Sequence, residues 1–338
     1  GSGAFLLGLL NEIVKARQTL TSYMGIEMNS FERLNLYAYG RKAYDLKVLT
    51  IKNCLFACDL EPSATDITKL RLWLSIVIDD ETVEQANSNG LFDEHTQPRQ
   101  LPNLDCNIIC GNSLMDEFEG IKLITESNLL NNQAKTGMDS FYQTGFDTML
   151  KELIRLQDEL YFTKDHETKH EIKQQIQEIY DRCILHQLEA NPAAVEDYRN
   201  VKTQSSKPFI LWQLSFPKVF MEKRGFDIVV GNPPYIDSET MSRIMPKERE
   251  CYAKKYKVCK GNWDLYIPFW EKSFKLLNQY GNVALITPDK WLSIKYGKAL
   301  RSCILPYIYN ISNYSTFYAF ESAGVSTVVV MAQRKEIN

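Results

Sequence analysis

Apolar positions in this chain follow two periods, and the changes of period divide it. After Gly1-Ser2-Gly3-Ala4-Phe5, the residues Leu6, Leu7, Leu9, Leu10, Ile13 and Val14 recur at helical spacing and predict an amphipathic helix. A second helical stretch over 31–48 leads into an apolar strand through residues 53–58 that stops at Asp59-Leu60-Glu61-Pro62, and Ile67, Leu70, Leu74 and Val77 then mark the next helix. Beyond a polar loop at 81–102, Asn107-Ile108-Ile109-Cys110-Gly111-Asn112-Ser113-Leu114 reads as another short strand with a small polar tip.

Between 120 and 205 the helical period takes over. Met149, Leu150, Leu153, Leu156 and Leu160 define one face, and Ile172, Ile176, Ile179, Cys183 and Leu188 a second, joined by a charged turn at 163–168. This predicts an αα-hairpin. After a polar linker at 201–207 and an aromatic-rich lead-in at 208–220, Phe226 to Val230 is a continuous apolar run closed by Gly231 and two prolines, the pattern of a buried parallel strand ending in a rigid loop. A helix is expected from Gly261 through Phe269 and Phe274 to a stop at Gly281, followed by strands at 282–287, 308–314 and 325–331. Strands separated by helices imply an α/β protein with a Rossmann-like sheet. The expected division is a cofactor-binding half at 1–119, a helical-hairpin insertion at 120–205 and a catalytic half at 206–338.

The loop after the 226–230 strand carries the sharpest chemistry. Asn232-Pro233-Pro234-Tyr235 sits at the carboxyl end of a strand, where open α/β sheets place their ligand crevice. These residue types suit alkylation of a flat amino group, whose lone pair is delocalised into its ring or carbonyl. A catalyst must accept hydrogen bonds from the N–H groups so that the nitrogen can become pyramidal. Asn232 offers a side-chain carbonyl, Pro233 a main-chain carbonyl held by the fixed φ angles of Pro233 and Pro234, and Tyr235 a face for stacking a planar substrate. No base is needed before attack, because the proton leaves once the nitrogen is positive.

The other strand tips suggest a nucleoside site. An acid closing the second strand, Asp59, is the type of residue that holds ribose hydroxyls, and the polar cluster at Asn112 suits an adenine edge. Gly1-Ser2-Gly3 reads either as the end of a tag or as the glycine turn of such a site, and its distance from Asp59 favours the turn.

Composition narrows the partners. The chain has 338 residues, 44% hydrophobic and 24% charged, with a net charge of −3. Such a chain is globular and not basic all over, so contact with nucleic acid has to come from local patches or flanking regions. One such segment is 252–260, where Lys254, Lys255, Lys257 and Lys260 alternate with Tyr252, Tyr256 and Val258, a pattern that fits a basic loop able to meet phosphates and equally a merely solvated loop. No apolar run reaches membrane-spanning length and no signal segment opens the chain, so a cytoplasmic location is expected. The eight cysteines include no Cys-x-x-Cys pair, which suits reduced thiols and gives no metal site; His166 and His170 lie among charges on a solvated face.

Taken together, Asn232-Pro233-Pro234-Tyr235, Gly1-Ser2-Gly3-Ala4-Phe5, Asp59-Leu60-Glu61-Pro62, Leu70-Arg71-Leu72-Trp73-Leu74, Cys110-Gly111-Asn112-Ser113-Leu114 and Ile286-Thr287-Pro288-Asp289-Lys290-Trp291 resemble the adenine-N6 DNA methyltransferases. More narrowly they resemble, in the gamma-type order of motifs, the methyltransferase part of type IIG restriction–modification enzymes and related phage-defence methylases. The resemblance implies a class I fold, S-adenosylmethionine as methyl donor and double-stranded DNA as partner. It assigns Gly1 and Gly3 to the methionine part of the donor, Asp59 to its ribose, Asn112, where many relatives carry Asp, to its adenine, and Phe269 as an aromatic against the cofactor. A flipped target adenine would lie between Tyr235 and Phe320. It further implies that flanking regions supply target recognition, expected beyond Asn338, and leaves open whether they include a nuclease domain; the cofactor half would be cut short at its N-terminus. Enzymes that methylate a protein glutamine amide or an RNA base amino group meet the same amine problem and remain an alternative, as does a non-catalytic DNA-specificity module.

Overall fold

The computed structural model describes residues 2–27, 43–79, 101–123, 138–314 and 326–335. Gly1 and Phe320 lie outside them. The chain forms two compact units, Gly1–Pro217 and Lys218–Asn338. Both mix helix and sheet.

The first unit begins with α1 (Ala4–Glu27) and α2 (Ala43–Cys54), then β1 (Ala57–Asp59), α3 (Pro62–Val77) and β2 (Ile108–Cys110). β1 and β2 pair in parallel, with Asp59 opposite Cys110, and Lys207 bridges in parallel to Gly111 just past β2. Pro62 stands in the first turn of α3, where its missing N–H costs nothing. A core of Leu10, Val14, Ile51, Leu55, Leu72, Ile76, Leu104 and Ile108 joins these elements.

α3 corrects the sequence pattern. The row Ile67, Leu70 and Leu74 is 45%, 52% and 53% exposed, and the buried face is instead Thr65, Thr68, Leu72, Ser75 and Ile76. The hydroxyls can be buried because each is satisfied within its own helix: Thr65 donates to the Pro62 carbonyl at 2.7 Å and Thr68 to that of Ala64 at 2.8 Å. Small residues also let Gly3 approach. At its φ of +76° a Cβ would stand 2.8 Å from Thr68 Oγ1.

A two-stranded hairpin, β3 (Glu117–Phe118) with β4 (Ile121–Lys122), precedes the long helices α4 (Met138–Phe162) and α5 (His166–Leu188). Their facing residues Leu150, Leu153, Leu156, Leu160, Ile172, Ile179, Cys183 and Leu188 pack in one core with Phe118, Tyr198 and Phe209. Asp165 starts α5 by accepting from the Thr168 N–H at 2.7 Å. α6 (Pro192–Val201) and the short α7 (Trp212–Ser215) complete the unit.

The second unit comprises the end of α8 (Pro217–Lys223), β5 (Phe226–Gly231), α9 (Ser238–Ile244), α10 (Pro246–Lys255), α11 (Tyr266–Leu276), β6 (Leu277–Pro288), α12 (Lys298–Ile304), β7 (Ile308–Asn313) and β8 (Thr327–Gln333). Its sheet has the order β5-β6-β8-β7, with β5 parallel to β6 and the other pairs antiparallel. Two expectations change here. β5 is an edge strand of this sheet and not a buried one, with Ile228 56% exposed. Gly281 does not end the helix, which stops at Leu276; it lies inside β6, where a Cβ would come 2.8 Å from the Phe226 carbonyl oxygen. Gly281 is therefore set by the close approach of two strands.

Candidate active site

β5 delivers its last residue, Gly231, opposite Leu285, and the chain leaves the sheet at Asn232. Pro233 is buried while Asn232 and Pro234 are exposed. Among the described residues nothing hydrogen-bonds the Asn232 side chain, so its amide is available at the strand end. Tyr235 is half-buried and donates its hydroxyl to the Ile286 carbonyl at 3.3 Å, and burial pushes the phenol up to about 12. The ring is thereby anchored at its tip while part of its surface stays open.

The exit of the loop is also held. The Leu265 N–H donates to the Ile236 carbonyl at 2.8 Å, and the Ser238 N–H donates to Asp264 Oδ1 at 3.2 Å. Tyr296 donates to Asp264 Oδ2 at 2.8 Å and meets the Tyr266 hydroxyl at 2.8 Å. Asp237 caps α9 by accepting from the Thr240 N–H at 2.9 Å. Arg249 lies 5.0 Å over the Trp263 ring. The sequence reading missed Asp264 and Tyr296, because Asp264 looked like an ordinary helix start and Tyr296 belongs to no motif. Their only signal is that a buried carboxylate needs donors.

The segment read as a basic loop begins in the last turn of α10, which ends at Lys255, and only 256–260 are loop. Tyr252, Tyr256, Val258 and Cys259 are core, and Lys254 pairs with Glu250 at 2.7 Å; Lys257 and Lys260 are exposed. An open hollow of about 310 Å³ runs between Ser242, Arg249, Glu250, Cys259 and Trp263, and none of the Asn-Pro-Pro-Tyr residues lines it. Phe269 is half-buried on α11. Ser326 donates to Asp289 Oδ2 at 2.6 Å and accepts from the Asp289 N–H at 3.1 Å, fixing the start of β8, ahead of which Phe320 falls in the undescribed segment.

The remaining candidates belong to the first unit. Asp59 is the last residue of β1, and its Oδ1 accepts from the Glu61 N–H at 3.0 Å, which orients the carboxylate at the strand tip. Asn112 follows β2 by two residues and accepts from the Leu114 N–H at 3.1 Å. Since β1 and β2 are parallel and in register at Asp59 and Cys110, both side chains stand at the same carboxyl edge. Gly3 packs on α3, the helix that follows Asp59. Among the described residues no helix is long and apolar enough to cross a membrane.

Comparison with known proteins agrees with the sequence motifs. The type II restriction enzyme and methyltransferase RM.Eco57I of Escherichia coli is 30% identical over 112 residues, 32% of this chain and 11% of that protein. The type II methyltransferase M.PaeR7I of Pseudomonas aeruginosa is 39% identical over 79 residues, 23% of this chain and 13% of that protein. RM.MjaORFECS2P of Methanocaldococcus jannaschii is 23% identical over 376 aligned residues, covering 99% of this chain and 29% of that protein. The chain thus spans 11% to 29% of the length of these three relatives. Among solved structures, the ATP-dependent type ISP restriction–modification enzyme LlaBIII bound to DNA aligns with 99% of this chain and 16% of its own, at a TM-score of 0.41 and 12% identity, too distant to define a shared fold. The profile of the Eco57I restriction-modification methylases matches residues 53–323, most of the sequence, and the chain belongs to that family.

Proposed function

We propose that this chain is the methyltransferase part of a restriction–modification enzyme that moves a methyl group from S-adenosylmethionine to the N6 amino group of an adenine in double-stranded DNA. The observation that carries this reading is the Asn232-Pro233-Pro234-Tyr235 loop: an exposed amide with no hydrogen bond to any described residue, beside a ring anchored at its hydroxyl, at the carboxyl end of β5.

The residues of the first unit fit a nucleoside-type donor. A carboxylate oriented by its neighbour's N–H suits a ribose diol, an amide at the adjacent strand tip suits an adenine edge, and the absence of a side chain at Gly3 lets its main chain pack against Thr68 of α3, the helix that follows Asp59. Asp59, Asn112, Gly1 and Gly3 are assigned to the donor, together with Phe269. When bound, S-adenosylmethionine supplies an electrophilic methyl group.

The remaining work falls to the loop. Rotating an adenine out of the duplex costs a few kcal/mol, offset by stacking on Tyr235, with Phe320 assigned to the opposite face. The carbonyls of Asn232 and Pro233 accept from the two amino N–H bonds and favour the pyramidal nitrogen that attacks in line. Most of the rate then comes from holding the reactants in this geometry. In this reading α4 and α5 form an insertion between a cofactor-binding half and a catalytic half, and target recognition, with any nuclease activity, comes from other parts of the parent protein.

The test is to incubate the full protein with methyl-labelled S-adenosylmethionine and, in parallel, duplex DNA of mixed sequence, RNA and a glutamine-containing protein, then digest each to nucleosides or amino acids. Label is expected in N6-methyldeoxyadenosine. Label confined to RNA or to a protein glutamine would overturn the assignment.

A further inference from the structure

We propose that Asp264 and Tyr296 are a positioning pair that sets where Asn232 and Tyr235 stand, acting through the main chain of residues 236–238. This rests on the methyl-transfer reading above.

The Asp264 carboxylate is 8% exposed, and such a group is tolerated only where donors surround it. One oxygen takes the Ser238 N–H and the other the Tyr296 hydroxyl, which is itself bonded to Tyr266, a side chain 1% exposed. Burial raises both phenols, so both hydroxyls keep their protons at neutral pH and remain able to donate. Next to it, the Leu265 N–H holds the Ile236 carbonyl. Helix capping does not account for the arrangement, because Asp237 already caps α9 through the Thr240 N–H and hydroxyl. Asp264 ties the helix start to the body of the unit instead.

The loop itself explains why such a tie reaches the catalytic side chains. Its entry is fixed by the pairing of Gly231 with Leu285, and its two middle residues are prolines whose rings lock φ. Few torsions remain between Gly231 and Ile236. A displacement at 236–238 is therefore passed on to Tyr235 and Asn232 and is not absorbed on the way.

Tyr296→Phe, Asp264→Asn and the double variant test this in the full protein. Single-turnover methyl transfer is expected to fall about tenfold or more in each single variant, the loss typical of a misplaced reacting group. Dissociation constants for S-adenosylmethionine and DNA are expected to stay within about twofold, since positioning enters the rate and not ground-state binding. The double variant should be no slower than the slower single one, because both changes cut the same chain of bonds. A wild-type rate in Tyr296→Phe overturns the proposal, as do losses that multiply in the double variant. If Asp264→Asn does not fold, Tyr296→Phe decides alone, since it removes one oxygen. Should the wild-type protein transfer no methyl group to DNA, it is the methyl-transfer reading that fails. The clamp is then read by hydrogen exchange of the Ser238 amide, which Tyr296→Phe should accelerate and which, unchanged, refutes it.

Discussion

Asn232 is the residue on which the proposed chemistry turns, because it is the exposed acceptor at the end of β5. Asn232→Ala is expected to abolish methyl transfer while S-adenosylmethionine binding survives, measured by transfer assay and calorimetry on the same folded sample. Loss of both would contradict the role. At Tyr235 the ring and the hydroxyl can be separated. Tyr235→Phe deletes only a long 3.3 Å hydrogen bond and should cost little, whereas Tyr235→Ala removes a stacking surface worth about 1–3 kcal/mol per base. Equal losses in the two variants would remove stacking from the account. Asp59→Ala should weaken S-adenosylmethionine binding by about 1.5–3 kcal/mol, the usual scale of a hydrogen bond to a charged group, and an unchanged calorimetric affinity would take Asp59 out of the site.

At the scale of elements, the β5–β6 junction depends on residues without side chains. Gly225 has a φ of +142°, and a Cβ there would stand 2.6 Å from the main chain of Leu277 and Asn278. Gly225→Ala is expected to destabilise the second unit by about 1–3 kcal/mol, seen as a lowered denaturation midpoint, since backbone atoms cannot swing aside. The helical pair depends on the opposite property, complete filling. Leu153 is 0% exposed in the core between α4 and α5, and Leu153→Ala should cost about 2–5 kcal/mol by leaving a cavity. A cost below about 1 kcal/mol would mean that the helices close over the gap. α3 shows that an apolar row does not by itself choose the buried face: Thr65 and Thr68 go inside because their hydroxyls are satisfied locally.

Across the whole molecule the buried phenols and thiols set an alkaline limit. Burial pushes Tyr235 and Cys106 up to about 12 and Cys183 up to about 11, from ordinary values of 10.0 and 9.0, and also raises Tyr161, Tyr180, Tyr198, Tyr266 and Tyr296. A group whose folded-state value is raised contributes its stability in full below the unfolded value and loses it as the pH climbs toward the folded one. Thermal stability should therefore be level with respect to these groups up to about pH 9 and decline from there to pH 12 and beyond. A melting temperature independent of pH over that window would show that these side chains are hydrated.

The sequence by itself determined what is encoded in neighbouring residues. Two prolines fix the loop after β5 whatever surrounds it; an acid after an apolar run places Asp59 at the tip of β1; and the 3.6-residue period of Leu150 to Leu160 and Ile172 to Leu188 calls for two helices that share a core. Only the tertiary structure decided which face of α3 is buried, that β5 lies at a sheet edge, that Gly281 serves a strand crossing, and that Tyr296, 32 residues from Asp264, completes its hydrogen bonds. Each of these depends on a partner distant in sequence. Local periodicity limits what a segment can become, but burial and hydrogen-bond satisfaction are properties of the pair, and the pair exists only once the chain has folded.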